Sequence, residues 1–267
     1  MSVEFLKFLE KDGLTKDTIK SYIWTVNHFI SQYETFDQKN LLAYKGYLMS
    51  YFRPRTVNLR LHGLNKYLEF ANKKNLKVRC IKVQPKNFIE NVVSSADYRF
   101  LKARLKSEGQ MEWFFVIWFL AATGARISEL LQIKAEHIDV GYLDVYTKGG
   151  KVRRIYIPKT LRVEATKWLI RRTISSGYIF LNQDGERLSS RGVAQRLKFF
   201  AKKYDLNAKV IYPHSFRHRF AKNFLEKYND ICLLADLMGH ESIETTRIYL
   251  RKTSLEQQRI VDTVVTW

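Results

Sequence analysis

Three short stretches carry basic or imidazole side chains that a globular core does not need. In the first, Gly124 ends an apolar run, and Arg126 then falls in the first turn of the next predicted helix. Free backbone N–H groups and the helix dipole favour an anion there, and a guanidinium adds a planar fork that matches phosphate. An ion pair with Glu129, three residues further on, is the structural alternative. This stretch alone does not decide between the two.

The second stretch carries His214 and Arg217, three residues apart on one side of a predicted helix. Phe216 and Phe220 begin an apolar stripe that packs this helix on a core. His214 and His218 have the i, i+4 spacing of a zinc pair. However, no glutamate follows His214 and the sequence offers no third ligand, so the pattern disfavours zinc.

The third stretch joins Gly239 and His240 to Tyr249, and a fourth candidate, Lys148, precedes it in a predicted hairpin turn. A histidine after a glycine is typical of a helix cap, and one tyrosine among 15 is typical of a core. The Lys-Gly-Gly-Lys turn (148–151) is not a P-loop, because it lacks the upstream Gly and the following Ser or Thr. No single one of these residues indicates a function. The order and spacing of Arg126, Lys148, His214, Arg217, His240 and Tyr249 along the chain do.

The elements that must position this set are mostly helical. Apolar residues recur at helical spacing through residues 1–78 and predict a small four-helix unit, with Thr15 as the cap of its second helix. A basic linker, 79–93, follows; it is either a solvated connection or a segment that touches a phosphate backbone. Ser94 and Ser95 then provide a cap that opens a second domain, 94–267.

The second domain is predicted to be helical around one hairpin. Trp113–Ala122 is apolar all round and predicts a buried helix. Tyr142–Thr147 and Val152–Ile157 predict two strands, and helices are expected from Thr160 to the end. The fold class is therefore mainly α with a small β-hairpin, in two domains.

Composition restricts the class of protein. The 267 residues include 46 Lys plus Arg against 26 Asp plus Glu, a net charge of +20, whereas about 2 to 8 suffices for solubility. That excess predicts a polyanionic partner, and nucleic acid is favoured over a membrane surface. Cys80 and Cys232 are expected to be core thiols of a reducing compartment. Neither a membrane span nor a secretion signal is evident, so we expect a cytoplasmic, nucleoid-associated protein.

The ordered set resembles the tyrosine recombinase (lambda-type integrase) family, in particular its compact, Xer-like members. The matching elements are Thr-Gly-Ala-Arg-Ile-Ser-Glu-Leu (123–130), Lys-Gly-Gly-Lys (148–151), His-Ser-Phe-Arg-His (214–218), and Gly-His (239–240) followed by Tyr249. The resemblance covers 94–267 and extends more weakly to the N-terminal unit, which is similar to the family's SAM-like core-binding domain. Ala125, Thr147 and Met238 depart from the residues common at those places, and none removes a functional group.

This resemblance implies a role for each matching residue. Tyr249 would attack a scissile phosphate of double-stranded DNA, leaving a 3′-phosphotyrosyl link and a free 5′-hydroxyl. Arg126 and Arg217 would hold the non-bridging oxygens. His214 and His240 would hydrogen-bond to the phosphate or assist proton transfer. The predicted activity is therefore site-specific recombination, in which DNA strands are cut and rejoined.

Lys148, at the tip of the hairpin, would protonate the leaving oxygen, since a lysine among cations has a lowered pKa. A phenol with a pKa of about 10 is only about 0.1% ionised at pH 7, so the cationic site must ease its deprotonation. Positioned donors of this kind contribute about 3 to 4 kcal/mol each in other enzymes. We therefore expect no metal and no cofactor, and because the covalent link conserves the bond, no ATP.

The C-terminal segment is a candidate for subunit contacts. Ile260, Val261, Val264 and Val265 place apolar residues in a short predicted helix after Tyr249. This helix could pack on its own domain. The resemblance instead implies a homotetramer on two DNA sites, with the tail exchanged between protomers.

Two other functions use the same residues. A type IB topoisomerase-like enzyme would share the tyrosine chemistry, and a DNA-binding regulator could carry a non-functional site. The complete set of six residues disfavours the regulator. The sequence does not choose among integration, excision, inversion and dimer resolution, and it does not reveal the target sequence, because base readout depends on side-chain placement.

Overall fold

A computed structural model describes residues 3–83, 91–146, 152–240, 242–250, 254–265 and 267, with the backbone alone at 254–256. The chain divides into two compact units, Met1–Pro85 and Lys86–Trp267. Over the described residues, the first unit is helical and the second is helical around one antiparallel hairpin. The predicted fold class is confirmed. In this part of the chain, no helix is both long enough and apolar enough to cross a bilayer.

The first unit folds as the apolar spacing predicts. Its four helices are α1 (Val3–Lys11), α2 (Lys16–Ile30), α3 (Gln38–Tyr51) and α4 (Pro54–Phe70). Thr15 caps α2 by accepting from the N–H of Thr18, as predicted, and Asp37 caps α3 in the same way. Buried aromatic rings, among them Phe29 and Tyr44, fill the space between the helices.

The extended chain after α4 is bonded to that helix. Asn65 accepts from the N–H of Val78 at 2.8 Å and donates to its carbonyl at 2.9 Å. Asn58 makes the same pair of bonds with Ile81, at 2.9 Å each. The first residues of the predicted linker are therefore held on the N-terminal unit. Within this segment Cys80 is exposed, contrary to the predicted core position.

The second unit contains the elements that carry the candidate site. They are α5 (Ser95–Ser107), α6 (Met111–Thr123), α7 (Ile127–Leu130), α8 (Ala135–Val140), β1 (Tyr142–Tyr146), β2 (Val152–Tyr156), α9 (Lys159–Arg171), α10 (Ser190–Lys203), α11 (Pro213–Lys227), α12 (Ile231–Met238), α13 (Ile243–Arg247) and α14 (Ser254–Val264). Ser94 caps α5, as predicted. The apolar helix α6 lies at the centre of the core and packs against α5, α9 and α11.

The hairpin pairs β1 with β2 in antiparallel register, from Tyr142 opposite Tyr156 to Tyr146 opposite Val152. Alternate residues of each strand face the core, because successive side chains of a strand point to opposite faces. On β2 those inward residues are Arg153 and Ile155. The predicted hairpin is confirmed.

Two predictions about this unit are wrong. Residues 172–189 are not helical. They form an irregular segment with isolated bridges at Tyr178 and at Leu181, and Gly177 and Gly185 adopt φ values of 80° and 77° that end regular helix. Cys232 is exposed, because α12 turns other residues toward the core.

Candidate active site

Gly124 allows the first part of the site to form. It ends α6 in the left-handed conformation with φ 62°, and a Cβ there would lie 2.4 Å from the Phe220 ring of α11. Only glycine combines this backbone conformation with such a close approach. Arg126 follows as the N-cap of α7, one position before the helical turn in which we predicted it. The N–H of Arg126 donates to Glu129 Oε2 at 2.7 Å.

Glu129 holds two arginines at once, and only 6% of its side chain is exposed. Arg126 Nη1 donates to its Oε1 at 2.8 Å, and Arg153 Nη1 donates to its Oε2 at 2.6 Å. The ion pair that the sequence offered as an alternative is therefore formed. Yet 36% of the Arg126 side chain remains exposed, so pairing orients the guanidinium without enclosing it.

Arg153 ties the hairpin to the rest of the site from the inner face of β2. Its side chain is 3% exposed, and its Nε donates to the Leu237 carbonyl at 2.8 Å. A Cβ on Gly239, which has φ 60°, would lie 2.3 Å from Arg153 Cδ. β2, α7 and the end of α12 are thus fastened together around one guanidinium.

Arg217 joins the two ends of the site from α11. Its Nη1 donates to the Gly124 carbonyl at 2.6 Å and its Nη2 to the Met238 carbonyl at 2.7 Å. Nη2 also lies 3.0 Å from His240 Nε2. Because an arginine only donates, Nε2 must be the acceptor, and the neutral ring then carries its proton on Nδ1. That proton is directed to Thr246 Oγ1 at 2.8 Å.

Tyr249 lies on the 3-10 turn Ile248–Leu250, just after α13, and is 6% exposed. Its Oη is 3.2 Å from His218 Nδ1. Its ring stacks on His240, with 6.2 Å between the centroids and 11° between the planes. The phenol is therefore held by α11 on one side and by the loop after α12 on the other.

The site combines cations with neutral imidazoles. Burial, and then Arg217 and Arg126, lower the pKa of His240 to about 4. Burial, and then His214 and Arg217, lower the pKa of His218 to about 4. Burial also lowers the pKa of Arg217, to about 10, which leaves this side chain a cation at neutral pH. The positive charge at pH 7 therefore resides on the arginines.

The phenol itself remains protonated. We expected cationic neighbours to ease its ionisation, but burial raises the pKa of Tyr249, and Arg217 and Arg126 only partly oppose that shift. The charged form loses more from desolvation than it gains from the nearby guanidiniums. Ionisation at this site thus requires a group that accepts the proton.

The structure brings together Arg126, Arg217, His240 and Tyr249 through the contacts above. His214 is the second residue of α11 and its side chain reaches solvent. Partial burial, and then Arg217 and Arg126, lower its pKa, which indicates that it faces the same cations. The sixth predicted residue is Lys148, which lies outside the described residues.

Three contributors were missed or undervalued by sequence reasoning. Glu129 was considered only as a partner for Arg126, and His218 only as half of a zinc pair. In the described residues no group of three or more His, Cys, Asp or Glu could hold a metal. Arg153 had a usable signal, because it shares the inward face of β2 with Ile155, and a charge on an apolar strand face needs a buried partner.

Comparisons with known proteins give similar sequences over most of the chain. The sequence profile of the phage integrase family matches residues 89–256. Tyrosine recombinase XerA of Pyrococcus furiosus is 31% identical over 97% of this chain and 92% of its own. The TnP I resolvase of Bacillus thuringiensis is 29% identical over 95% of each chain.

Solved structures share the fold. XerH site-specific recombinase bound to palindromic difH substrate, in a post-cleavage complex, matches with a TM-score of 0.71 at 19% identity. The match covers 93% of this chain and 79% of that one. The profile spans more than half of the chain, and the Pyrococcus furiosus relative matches nearly all of it. The predicted resemblance is confirmed, and the chain belongs to the phage integrase family of tyrosine recombinases.

Proposed function

We propose that this recombinase cuts double-stranded DNA through Tyr249, which forms a 3′-phosphotyrosyl link and releases a 5′-hydroxyl. The observation that carries the proposal is the convergence of the buried Tyr249 phenol and the buried Arg217 with His240 and with Arg126, which is open to solvent. A phosphodiester seated there would meet a nucleophile on one side and guanidinium donors on the other. The phenolic oxygen of Tyr249 can then attack the phosphorus atom directly and form the covalent intermediate in one step.

The two arginines would have different roles, because their side chains differ in exposure. Arg126 donates to Glu129 and to the Gly239 carbonyl, but 36% of its side chain is exposed, so its remaining N–H groups would donate to a non-bridging oxygen. Arg217 is 4% exposed and holds two buried carbonyls, so it contributes fixed positive charge and frames the site. By the family resemblance, His214 and His240 would hydrogen-bond to the phosphate or assist proton transfer, and Lys148 would protonate the 5′-oxygen. Since Arg217 and Thr246 engage both ring nitrogens of His240, a bond from His240 to the phosphate requires that one of these contacts be released when DNA binds.

The net charge of +20 supports a long contact with DNA, because each neutralised phosphate releases counterions. We propose that residues 1–78 form a core-binding domain that holds DNA beside the catalytic domain, 94–267, joined by the linker, 79–93. Such a protein would be found with the nucleoid. The covalent link conserves the energy of the broken bond, so strands can be rejoined without ATP.

The test is to identify the amino acid that becomes joined to DNA. Purified protein is incubated with a plasmid that carries the gene's own chromosomal neighbourhood, in EDTA, and stopped with SDS. Trypsin cleavage after Arg247 and Arg251 leaves the peptide 248–251, in which Tyr249 is the one tyrosine. We expect the residual nucleotide on that peptide, and sequencing of the attached DNA to map one cleavage site. Nucleotide on another peptide, or DNA bound without any covalent product, would contradict the assignment.

A second measurement separates recombination from topoisomerase-like relaxation. Two plasmids that carry the mapped site are mixed, and products that join sequences of both are amplified. We expect joint products, because relatives of this chain are named recombinases and resolvases. Relaxation of supercoils without joint products would favour the topoisomerase-like alternative.

We also propose that the tail helix α14 docks on another protomer within a homotetramer on two DNA sites. Its apolar residues are not covered by their own chain: Ile260, Val261 and Val264 are 46%, 52% and 59% exposed. If α14 instead packed on the catalytic domain of its own chain, these apolar side chains would be buried. A second copy of the chain is the proposed occupant, because it must lie close by when two sites are joined.

Truncation after Lys252 is expected to abolish stable tetramers on a DNA pair while single-site binding persists within about threefold. Burial of each apolar side chain is worth about 1.5 to 3 kcal/mol, so loss of several removes most of the subunit contact. Sedimentation of complexes with the mapped site measures the change. Gln258→Ala, on the polar side of α14, is the control and should assemble like wild type. Intact tetramers from the truncated chain would exclude tail docking.

A further inference from the structure

His218 lies at the reacting oxygen, although the sequence marked it only as half of a possible zinc pair and as the last residue of the element His-Ser-Phe-Arg-His (214–218). Its Nδ1 lies 3.2 Å from the Oη of Tyr249, and the two ring centroids are 5.4 Å apart. It is the sixth residue of α11, one position after Arg217 and one helical turn after His214. The same helix thus presents a phosphate-site arginine and an imidazole to the nucleophile from consecutive positions.

The imidazole ring of His218 is neutral at pH 7, so it has a lone pair that can accept a proton. In the described part of the chain, three titratable or charged groups face the His218 ring. His214 and Arg217 belong to its own helix, and Tyr249 belongs to the 3-10 turn Ile248–Leu250. Burial lowers the pKa of His218 most, His214 and Arg217 lower it further, and none of these neighbours is an anion at neutral pH, so the ring is neutral. A neutral imidazole has one lone pair, and a phenol that donates to Nδ1 requires the tautomer with its proton on Nε2.

The other groups around the phenol cannot accept its proton. Arg217 only donates. The lone pair of His240 is on Nε2, where Arg217 occupies it, and its Nδ1 proton is directed to Thr246. Among the contacts made by the described residues, His218 is therefore the one base within hydrogen-bond reach of Tyr249 Oη.

We propose that His218 is a catalytic residue that takes the phenolic proton as Tyr249 attacks DNA, an inference that rests on Tyr249 being the nucleophile. The O–H bond of the phenol breaks and its proton moves to His218 Nδ1. The phenolic oxygen forms the new bond to phosphorus, and the bond from phosphorus to the 5′-oxygen breaks. The leaving oxygen receives its proton from a separate acid, for which Lys148 is proposed. In the reverse step, imidazolium returns its proton to the phenol as the strand is resealed.

The test compares His218→Asn with His218→Ala in single-turnover cleavage of a duplex that carries the mapped site, from pH 6 to pH 9. An asparagine oxygen accepts a hydrogen bond near the position of Nδ1 and orients the phenol, but it cannot take the proton. His137→Asn is the matched control, because His137 is a half-buried histidine whose Nδ1 also makes one hydrogen bond, with the Lys134 N–H at 3.0 Å. Thermal melting and DNA binding are measured for every variant.

We expect both His218 variants to cleave about 10² to 10⁴ times more slowly than wild type at pH 7, with DNA binding unchanged. The ratio of wild-type to variant rate should fall about tenfold per pH unit, because each unit supplies ten times more tyrosinate. Other groups titrate alike in wild type and variant, so they change both rates by the same factor and leave the ratio unchanged. His137→Asn should cleave at the wild-type rate.

Two results would overturn the proposal. Cleavage by His218→Asn within threefold of wild type would show that the imidazole only orients the phenol. A loss that is the same factor at every pH would show a positioning role and no proton transfer. Failure of the proposed function is a separate outcome, since wild type would then form no adduct, or the adduct would lie on a residue other than Tyr249.

Discussion

Replacement of Tyr249 by Phe is expected to abolish the covalent protein–DNA adduct, a loss of at least about 10⁴-fold, because no bond-forming oxygen remains. The ring can stay in place. It is 6% exposed and stacks on His240, and neither contact uses the hydroxyl. The fold loses the hydrogen bonds of the hydroxyl with His218 and Arg217, each worth about 1 kcal/mol. Adduct formation on the mapped site, followed on an SDS gel, measures the effect.

Tyr228→Phe is the matched control, since this tyrosine of the same unit is 59% exposed. It should form the adduct at the wild-type rate, and both variants should bind DNA within about threefold of wild type. A further mixture, of Tyr249→Phe with Arg217→Lys, should give no adduct, because Tyr249 is held against the Arg217 and His218 of its own chain. Adduct from Tyr249→Phe alone would refute the assignment of the nucleophile.

Glu129→Gln is expected to destabilise the second unit by about 3 kcal/mol, the largest stability effect we expect of a single neutralised charge. The substitution keeps the shape of the side chain and removes the negative charge between Arg126 and Arg153. Arg153, 3% exposed, then becomes a buried cation without a counter-ion, and breaking such a pair is strongly destabilising. For a unit of this size that corresponds to a fall in Tm of roughly 6 to 12 °C.

The control is Glu244→Gln, because Glu244 pairs with Arg247 at 3.5 Å on the surface, with 70% of its side chain exposed. Exposed pairs contribute about 0 to 1 kcal/mol, so its Tm should change by about 4 °C at most. A comparable fall in both variants, or no fall in Glu129→Gln, would show that the buried network does not stabilise the unit.

The stability difference between wild type and Glu129→Gln should depend on pH in a defined direction. Burial alone would raise the pKa of Glu129, but Arg153 and Arg126 outweigh it, and the folded pKa lies below the ordinary value of 4.5. A lowered pKa contributes stability that is present above about pH 4.5 and is lost as the pH falls through the folded value. The difference between wild type and Glu129→Gln in urea unfolding should therefore be constant from pH 5 to pH 7 and shrink below pH 4.5. A difference that grows on acidification would contradict this argument.

The chain's local patterns were sufficient for the fold class and for the family. Helical spacing predicted α1 to α4, the apolar run predicted α6, and the glycine-rich turn between alternating segments predicted the hairpin, because these elements are set by periodicities of neighbouring residues. The irregular segment 172–189 was mistaken for helix, since tertiary contacts of Ile179 and Phe180 with the core decide its path. The exposure of Cys80 and Cys232 was also beyond local patterns.

The candidate nucleophile and its cationic neighbours were identified from the sequence because their order and spacing are local facts. What each group does in the site was decided by the fold. Arg217 is enclosed because it donates to the Gly124 and Met238 carbonyls in the interior, whereas Arg126, which donates to Glu129 and to the Gly239 carbonyl, keeps 36% of its side chain exposed. Arg153 and His218 contact Glu129 and Tyr249 across 24 and 31 positions of the chain, respectively, and no spacing rule reaches that far. Residue types and their order thus determined the chemistry available to this protein, whereas burial and long-range contacts determined which groups are charged, which are exposed, and which one can take the proton.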